Sequence, residues 1–131
     1  MSARRPHRVV DAMNVIGSRP DGWWRDRRGA IERLVAALER WAERSGERVT
    51  VMLERPPRPP IESATVAVEH APAPAPNSAD DELVRRLERW TAEGEVVVVT
   101  SDRDLAARAR DRGAAVEGAS EFRRRLDPPG G

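Results

Sequence analysis

Two kinds of hydrophobic pattern alternate along the chain. Ile31, Leu34, Val35, Leu38 and Trp41 recur at i, i+3, i+4, i+7 and i+10, the stripe of one buried helix face, which Gly46 ends. Leu83, Val84, Leu87 and Trp90 repeat that spacing on a second helix beginning at Ser78. Leu105 to Arg112, closed by Gly113, and Ser120 to Leu126 predict two shorter helices. Between these stand short apolar runs that read as strands: Arg8 to Met13, Val49 to Leu53, Thr65 to Val68, Glu95 to Thr100 and Ala115 to Glu117. The β-branched residues of the second run favour a strand. The four valines of the fourth suit a central strand covered on both faces.

Strands alternating with helices predict an α/β fold, a three-layer sandwich around a central, mainly parallel sheet of about five strands with right-handed crossovers. Residues 1–7 read as a flexible start, 8–126 as one domain and 127–131 as a tail. Gly17 to Gly22 carries turn chemistry. Arg55 to Pro60 is too proline-rich for regular structure and predicts a stiff connector, so the second and third strands lack a clear helix between them. His70 to Asn77, with its Ala-Pro repeats, predicts an extended loop. In such sheets ligands bind beyond the carboxyl ends of the strands, where strand order reverses. The Arg8 and Glu95 strands are expected to flank that point.

Composition narrows the chemistry. A chain of 131 residues fits one domain with a real core. Absence of cysteine excludes disulfides, zinc-thiolate sites and cysteine nucleophiles. No apolar run is long enough to cross a bilayer, and the Arg-rich start lacks the apolar stretch of a signal peptide, so a cytoplasmic protein is expected. All 23 basic residues are arginine against 22 acidic ones. Arginine forks phosphate well, yet many of these arginines fall on solvated helix faces, which favours a compositional bias. The near-zero net charge does not by itself name a nucleic-acid partner.

Carboxylates collect where strands should end and helices begin: Asp11 with Asn14 nearby, Asp80 and Asp81, then Asp102 and Asp104. In a parallel sheet all of these fall on one edge, and such a group repels itself unless a cation sits among it. Oxygen donors suit Mg²⁺ or Mn²⁺, ions that commonly act on phosphates. Each residue also has a structural explanation. Ser78-x-x-Asp81 and Ser101-x-x-Asp104 resemble helix N-caps with an acid in the first turn. Asp11 is harder to explain in that way, because it follows a buried valine pair with no helix expected immediately after it. Asn14 is either a turn residue or a group that positions a water, a phosphate or an aspartate. Glu54, ending the second strand, is either a further carboxylate on that edge or a solvated loop residue beside Arg55, the second being the better account. His7 and His70, expected in a frayed start and a proline loop, form no nucleophile arrangement. Neither a Gly-x-Ser-x-Gly turn nor a glycine-rich phosphate loop is present. Trp23 and Trp24 could stack on bases, but burial against the first helix is the better account.

The order Asp11-x-x-Asn14, Ala79-Asp80-Asp81, Thr100-Ser101-Asp102-x-Asp104 resembles the NYN branch of the PIN-like nuclease superfamily, in its YacP-type group. The resemblance spans Arg8 to Leu126. It implies a parallel α/β sheet with metal-binding aspartates on one edge, and RNA cleavage using Mg²⁺ or Mn²⁺. By the same resemblance Asp11, Asp80 and Asp102 match the family's aspartates, Asp81 and Asp104 their acidic neighbours, Asn14 the family asparagine, and Ser101 the small hydroxyl residue before Asp102. Ala12 and Met13 replace the usual glycine and aromatic, and Glu54 stands where an aspartate is common.

The resulting expectation is a metal-dependent endoribonuclease. Asp11, Asp80 and Asp102 hold metal, with Asp81 and Asp104 bound through water. Asn14 and Ser101 position substrate, and Arg25, Arg28 and Arg103 grip the RNA backbone, in RNA that is ribosome-associated or structured. The competing classes are a non-catalytic RNA- or ribosome-binding module of the same fold and an unrelated phosphatase or nucleotide-binding domain.

Overall fold

The computed structural model describes residues 5–73 and 75–126. Five strands form one sheet: β1 (His7–Asp11), β2 (Arg48–Leu53), β3 (Val66–His70), β4 (Val96–Val99) and β5 (Ala115–Glu117). Their spatial order is β3-β2-β1-β4-β5, and every neighbouring pair is parallel. The chain builds outward from β1 to β2 and β3, then returns to place β4 on the other side of β1. Strand order therefore reverses between β1 and β4, the pair expected from the sequence.

Among the described residues, five helices cover the sheet: α1 (Ala12–Ile16), α2 (Arg27–Ser45), α3 (Ser78–Glu93), α4 (Arg103–Asp111) and α5 (Ala119–Leu126). Alternation along β1 divides the core in two. Val10 joins Leu34, Leu38, Trp41, Phe122 and other side chains of α1, α2 and α5. Val9 faces the opposite way, among Leu83, Leu87, Trp90, Leu105 and Ala109 of α3 and α4. β4 contributes to both layers, Val99 to the first and Val98 to the second, as a valine run buried on two faces should.

The start of β1 carries buried polar groups on both faces of the sheet. Arg8 is only 5% exposed; it pairs with Glu47 at 2.7 Å and Glu117 at 2.6 Å. Its guanidinium also lies 5.3 Å from the Trp41 ring and 5.0 Å from that of Phe122. On the other face, His7 sits edge-on to Trp90 and bonds Thr50 through Nε2 at 2.7 Å. Far from lying in a frayed start, His7 is thus the first residue of β1 and fully part of the core.

Several boundaries differ from those expected. The first strand runs His7–Asp11 instead of Arg8 to Met13, because α1 begins at Ala12 and takes Met13 into a helix. The third extends through His70, which belongs to β3 and not to the proline loop. Trp23 and Trp24 open a 3-10 turn (Trp23–Arg25); Trp23 packs against the α2 side of the core, while Trp24 is 51% exposed. No helix joins β2 to β3, and residues 54–65 make that crossover as a loop. The expected tail, 127–131, lies outside the described residues, as do residues 1–4 and 74.

Candidate functional site

At the carboxyl edge, between the ends of β1 and β4, the chain leaves a polar pocket of about 270 Å³. Asp11, Asp80 and Asp102 line it together with Asn14 and Glu54. Three separate elements deliver the aspartates. Asp11 ends β1, Asp80 stands in the first turn of α3, and Asp102 caps α4. Helix N-termini favour negative charge, which helps to tolerate Asp80 and Asp102 there.

Asp11 is the most constrained of the three. It is 8% exposed and accepts a hydrogen bond at 2.9 Å from the Thr100 hydroxyl. Burial raises its carboxyl pKa to about 6; the Thr100 bond opposes that shift, while the charges of Asp80 and Asp102 add to it. Asp80 is also raised, first by burial and then by Asp102, with Arg108 acting in the opposite direction. Mutual repulsion is therefore felt at this edge, as the sequence led one to expect.

Hydrogen bonds across the strand-order reversal fix the pocket walls. Thr100 Oγ1 accepts from the Asp102 amide at 3.1 Å while its hydroxyl proton goes to Asp11. Asn14 Oδ1 accepts from the Ser101 amide at 2.7 Å, so the loop after β4 is tied to α1. Asp102 Oδ1 accepts from Leu105 N at 2.9 Å, the bond that caps α4. Among the described residues, no three His, Cys, Asp or Glu side chains converge closely enough to hold an ion as they stand. One oxygen each of Asp11 and Asp102 is instead turned to a hydroxyl or amide donor.

The other residues singled out from the sequence lie around this pocket without lining it. Asp81 is exposed and pairs with Arg108 at 3.0 Å. Asp104 is exposed in the first turn of α4, close enough for its charge to act on Asp80. The Ser101 hydroxyl accepts from Ala119 N at 2.8 Å, which directs it to the start of α5. Arg103 shares a separate depression with Ser101 and Arg110 on the β5 side. Arg28 lines a larger neighbouring groove, donating to the Pro59 carbonyl at 2.7 Å, and Arg25 lies beside the Trp24 ring.

Two local readings need correction. Asp11 is followed at once by a helix, since it occupies the N-cap position of α1, though its side chain makes no capping bond. The expected serine caps shift by one residue in each case. Asn77, in the left-handed region at φ 62°, precedes α3, and Asp102 rather than Ser101 caps α4. The sequence reading also missed Thr100, whose hydroxyl links two of the aspartates. Its only signal was a hydroxyl residue at the end of a valine run.

Thr100→Val should therefore destabilise the protein by about 1–3 kcal/mol in urea unfolding, since it strips a donor from a buried carboxylate and an acceptor from the Asp102 amide. Thr100→Ser should retain most of the parent stability. A valine variant as stable as the parent would mean that the bridge contributes nothing.

An all-parallel α/β sheet with aspartates near its strand-order reversal is compatible with a nuclease domain of the PIN-like class. The chain belongs to the YacP-like NYN domain family, whose family model matches residues 8–128. Two crystal structures of Rae1 (YacP) from Bacillus subtilis share its fold. A point-substituted variant superposes with a TM-score of 0.78 at 21% identity, covering 93% of this chain and 75% of that one. The other structure gives 0.71 at 22% identity, covering 92% and 72%. No curated protein matches the chain. Among the described residues, no helix is long and apolar enough to cross a membrane.

Proposed function

We propose that this chain is a metal-dependent endoribonuclease that hydrolyses RNA phosphodiester bonds at the pocket of Asp11, Asp80 and Asp102. One observation carries the reading: carboxylates from three elements share a small polar pocket at the strand-order reversal of a nuclease-family fold, and burial and mutual charge raise Asp11 to about 6. The donor chemistry fits a hard divalent cation, because the polar side chains lining the pocket are carboxylates and amides, which offer oxygen donors. Mg²⁺ dehydrates reluctantly and is usually held by one or two carboxylates with several waters, so it does not require three converging carboxylates.

Asp11, Asp80 and Asp102 would hold Mg²⁺ or Mn²⁺, with Asp81 and Asp104 acting through water. When bound, the ion supplies hydroxide from coordinated water and stabilises charge on the scissile phosphate. Thr100 keeps the Asp11 carboxylate oriented toward the pocket. Asn14, its Oδ1 fixed by the Ser101 amide, presents its side-chain nitrogen to a phosphate oxygen. Arg28, with Arg25 and Arg103 farther out, holds the RNA backbone. A cytoplasmic RNA, ribosome-associated or structured, is the substrate class this reading names.

Thermal melting with and without Mn²⁺, paired with an RNA cleavage assay, tests the reading. A ligand that binds only the native state at a free concentration 100 times its Kd adds about 2.7 kcal/mol, so the melting temperature should rise in millimolar Mn²⁺ and less so for Asp102→Asn. Chelator should stop cleavage. No shift in Mn²⁺ would count against a metal site. A shift accompanied by RNA binding but no cleavage would leave the non-catalytic RNA-binding module.

A further inference from the structure

The starts of α3 and α4 bring Asp80 and Asp102 to the acidic pocket, and one arginine spans the two helices. Arg108, in the last turn of α4, pairs at 3.0 Å with Asp81 of α3, the chain neighbour of Asp80. The arginines expected from the sequence to meet RNA lie elsewhere. Arg28 belongs to the neighbouring groove, Arg103 to the depression on the β5 side, and Arg25 sits beside Trp24. Arg108 is the arginine whose charge acts on Asp80, opposing the effects of burial and of Asp102. Its guanidinium is thus within electrostatic reach of the pocket.

Asp81 does not hold that guanidinium firmly. Its side chain is 64% exposed and that of Arg108 35%, so water screens the pair and its release costs little. A phosphate offers the guanidinium fork two oxygens at once, and such charge-assisted pairs are stronger than an exposed ion pair. The pocket also needs a cationic group besides a metal, because its carboxylates repel the phosphodiester that must enter. In hydrolysis the hydroxide oxygen bonds to phosphorus while the bond to the leaving ribose oxygen breaks, and that oxygen takes a proton from water. Negative charge collects meanwhile on the non-bridging oxygens, where a positioned donor has its largest effect.

We infer that Arg108 is a catalytic residue of this site, exchanging Asp81 for the non-bridging oxygens of the scissile phosphate and stabilising their charge as the phosphodiester is cut. This rests on the nuclease reading above and deepens it, by assigning a role to an arginine that no sequence motif marks. Helix α4 carries Arg108 and is capped by Asp102, so one rigid element presents both groups. The exchange also frees the Asp81 carboxylate to accept from water at the cation.

The test compares Arg108→Ala and Arg108→Gln with the parent in three measurements. These are single-turnover cleavage of an oligoribonucleotide in saturating Mn²⁺, the Mn²⁺ melting shift, and urea unfolding. Loss of one donor to the transition state should slow cleavage by about a hundredfold in both variants. The Mn²⁺ shift should be as large as the parent's or larger, because a positive charge has left the surroundings of a cation site. Urea midpoints should stay close to the parent's, as suits an exposed pair. Glutamine fills much of the space of arginine, so it decides the test if the alanine variant folds poorly. Arg108→Lys, which keeps the charge without the fork, should recover part of the lost rate. Cleavage at the parental rate in the variants would reduce Arg108 to a surface partner of Asp81 and leave the nuclease reading standing. Slow cleavage together with a lost Mn²⁺ shift would assign Arg108 to the upkeep of the metal site and overturn its role at the phosphate. A parent that does not cut RNA would sink both readings at once, whatever its response to Mn²⁺.

Discussion

Asp11→Asn should abolish most RNA cleavage while leaving the protein as stable as its parent, or more stable, in metal-free buffer. The two effects share one cause. Asp11 is a buried carboxylate close to the charges of Asp80 and Asp102, and its pKa, raised to about 6, means that it is ionised at neutral pH only at a cost to the folded state. A shift of this size corresponds to about 1–3 kcal/mol of lost stability above pH 6, which a neutral amide would recover. Asparagine can still accept the Thr100 hydroxyl bond through Oδ1, so the packing survives. Outer-sphere partners of metal sites already cost 10–100-fold when lost, so removing a direct ligand should cost about a hundredfold or more in cleavage rate. Urea unfolding in chelator at pH 8, together with a single-turnover cleavage assay, reads both quantities. If the variant is less stable by more than about 1 kcal/mol, Asp11 is a structural member of the sheet edge and the site has been misread.

The same variant should expose a hidden acid sensitivity. His7, between Trp90 and Thr50, has its pKa lowered to about 4 by burial first and then by the charge of Arg48. Its folded value lies below its unfolded value of 6.5. The unfolded chain therefore takes up the proton first, and stability falls as pH drops from 6.5 toward 4, by roughly 3 kcal/mol. Asp11 works the other way: its folded pKa is above its unfolded one, so stability rises as pH drops from 6 toward 4. The two contributions come from opposite ends of β1 and largely offset each other in the parent. Asp11→Asn removes one of them. The variant's unfolding free energy in chelator should thus decline steeply between pH 6.5 and 4, where the parent's stays comparatively level. Equal slopes for the two proteins would show that one of these groups titrates normally.

The parts legible in the sequence are those fixed by local periodicity. The stripe from Ile31 to Trp41 became α2, and the four valines from Val96 became β4 with side chains in both cores. The neighbouring placement of the first and fourth strands was legible because both end in aspartates, under the rule that ligands gather where strand order reverses. Helix α1 was missed because it has five residues and begins directly at the strand end. Its buried residues, Ala12, Val15 and Ile16, do show the i, i+3, i+4 spacing, but too briefly to register. The serine caps were placed one residue off: Asp102 caps α4 with its carboxylate, which aspartate does as readily as serine, and Asn77 precedes α3 in the left-handed region without a side-chain capping bond. Asp11, Asp80 and Asp102 were legible as carboxylates of one edge. That Asp81 would turn to Arg108 and the Ser101 hydroxyl to Ala119 was not, since both depend on contacts between elements. The larger groove lined by Arg28 was equally hidden, because it joins the start of α2 to a loop that follows the next strand.

The buried arginine of β1 gives the molecule a mechanical asymmetry. Arg8 fastens β1 to the loop after α2 through Glu47 and to β5 through Glu117, with the rings of Trp41 and Phe122 packed against it. Trp41 Nε1 donates to the same Glu47, so the layer of α2 and α5 is bolted to the sheet by charge, ring and hydrogen bond together. The opposite layer is held more loosely in kind. Helix α3 meets the sheet through apolar side chains, the His7–Trp90 edge contact and the half-exposed pair of Arg86 with Glu69. Two of the three pocket aspartates ride on that second layer. Asp11 and Asp102 then form one tied side of the site, joined through the Thr100 hydroxyl, while Asp80 is carried by α3, the helix that meets the sheet mainly through apolar side chains.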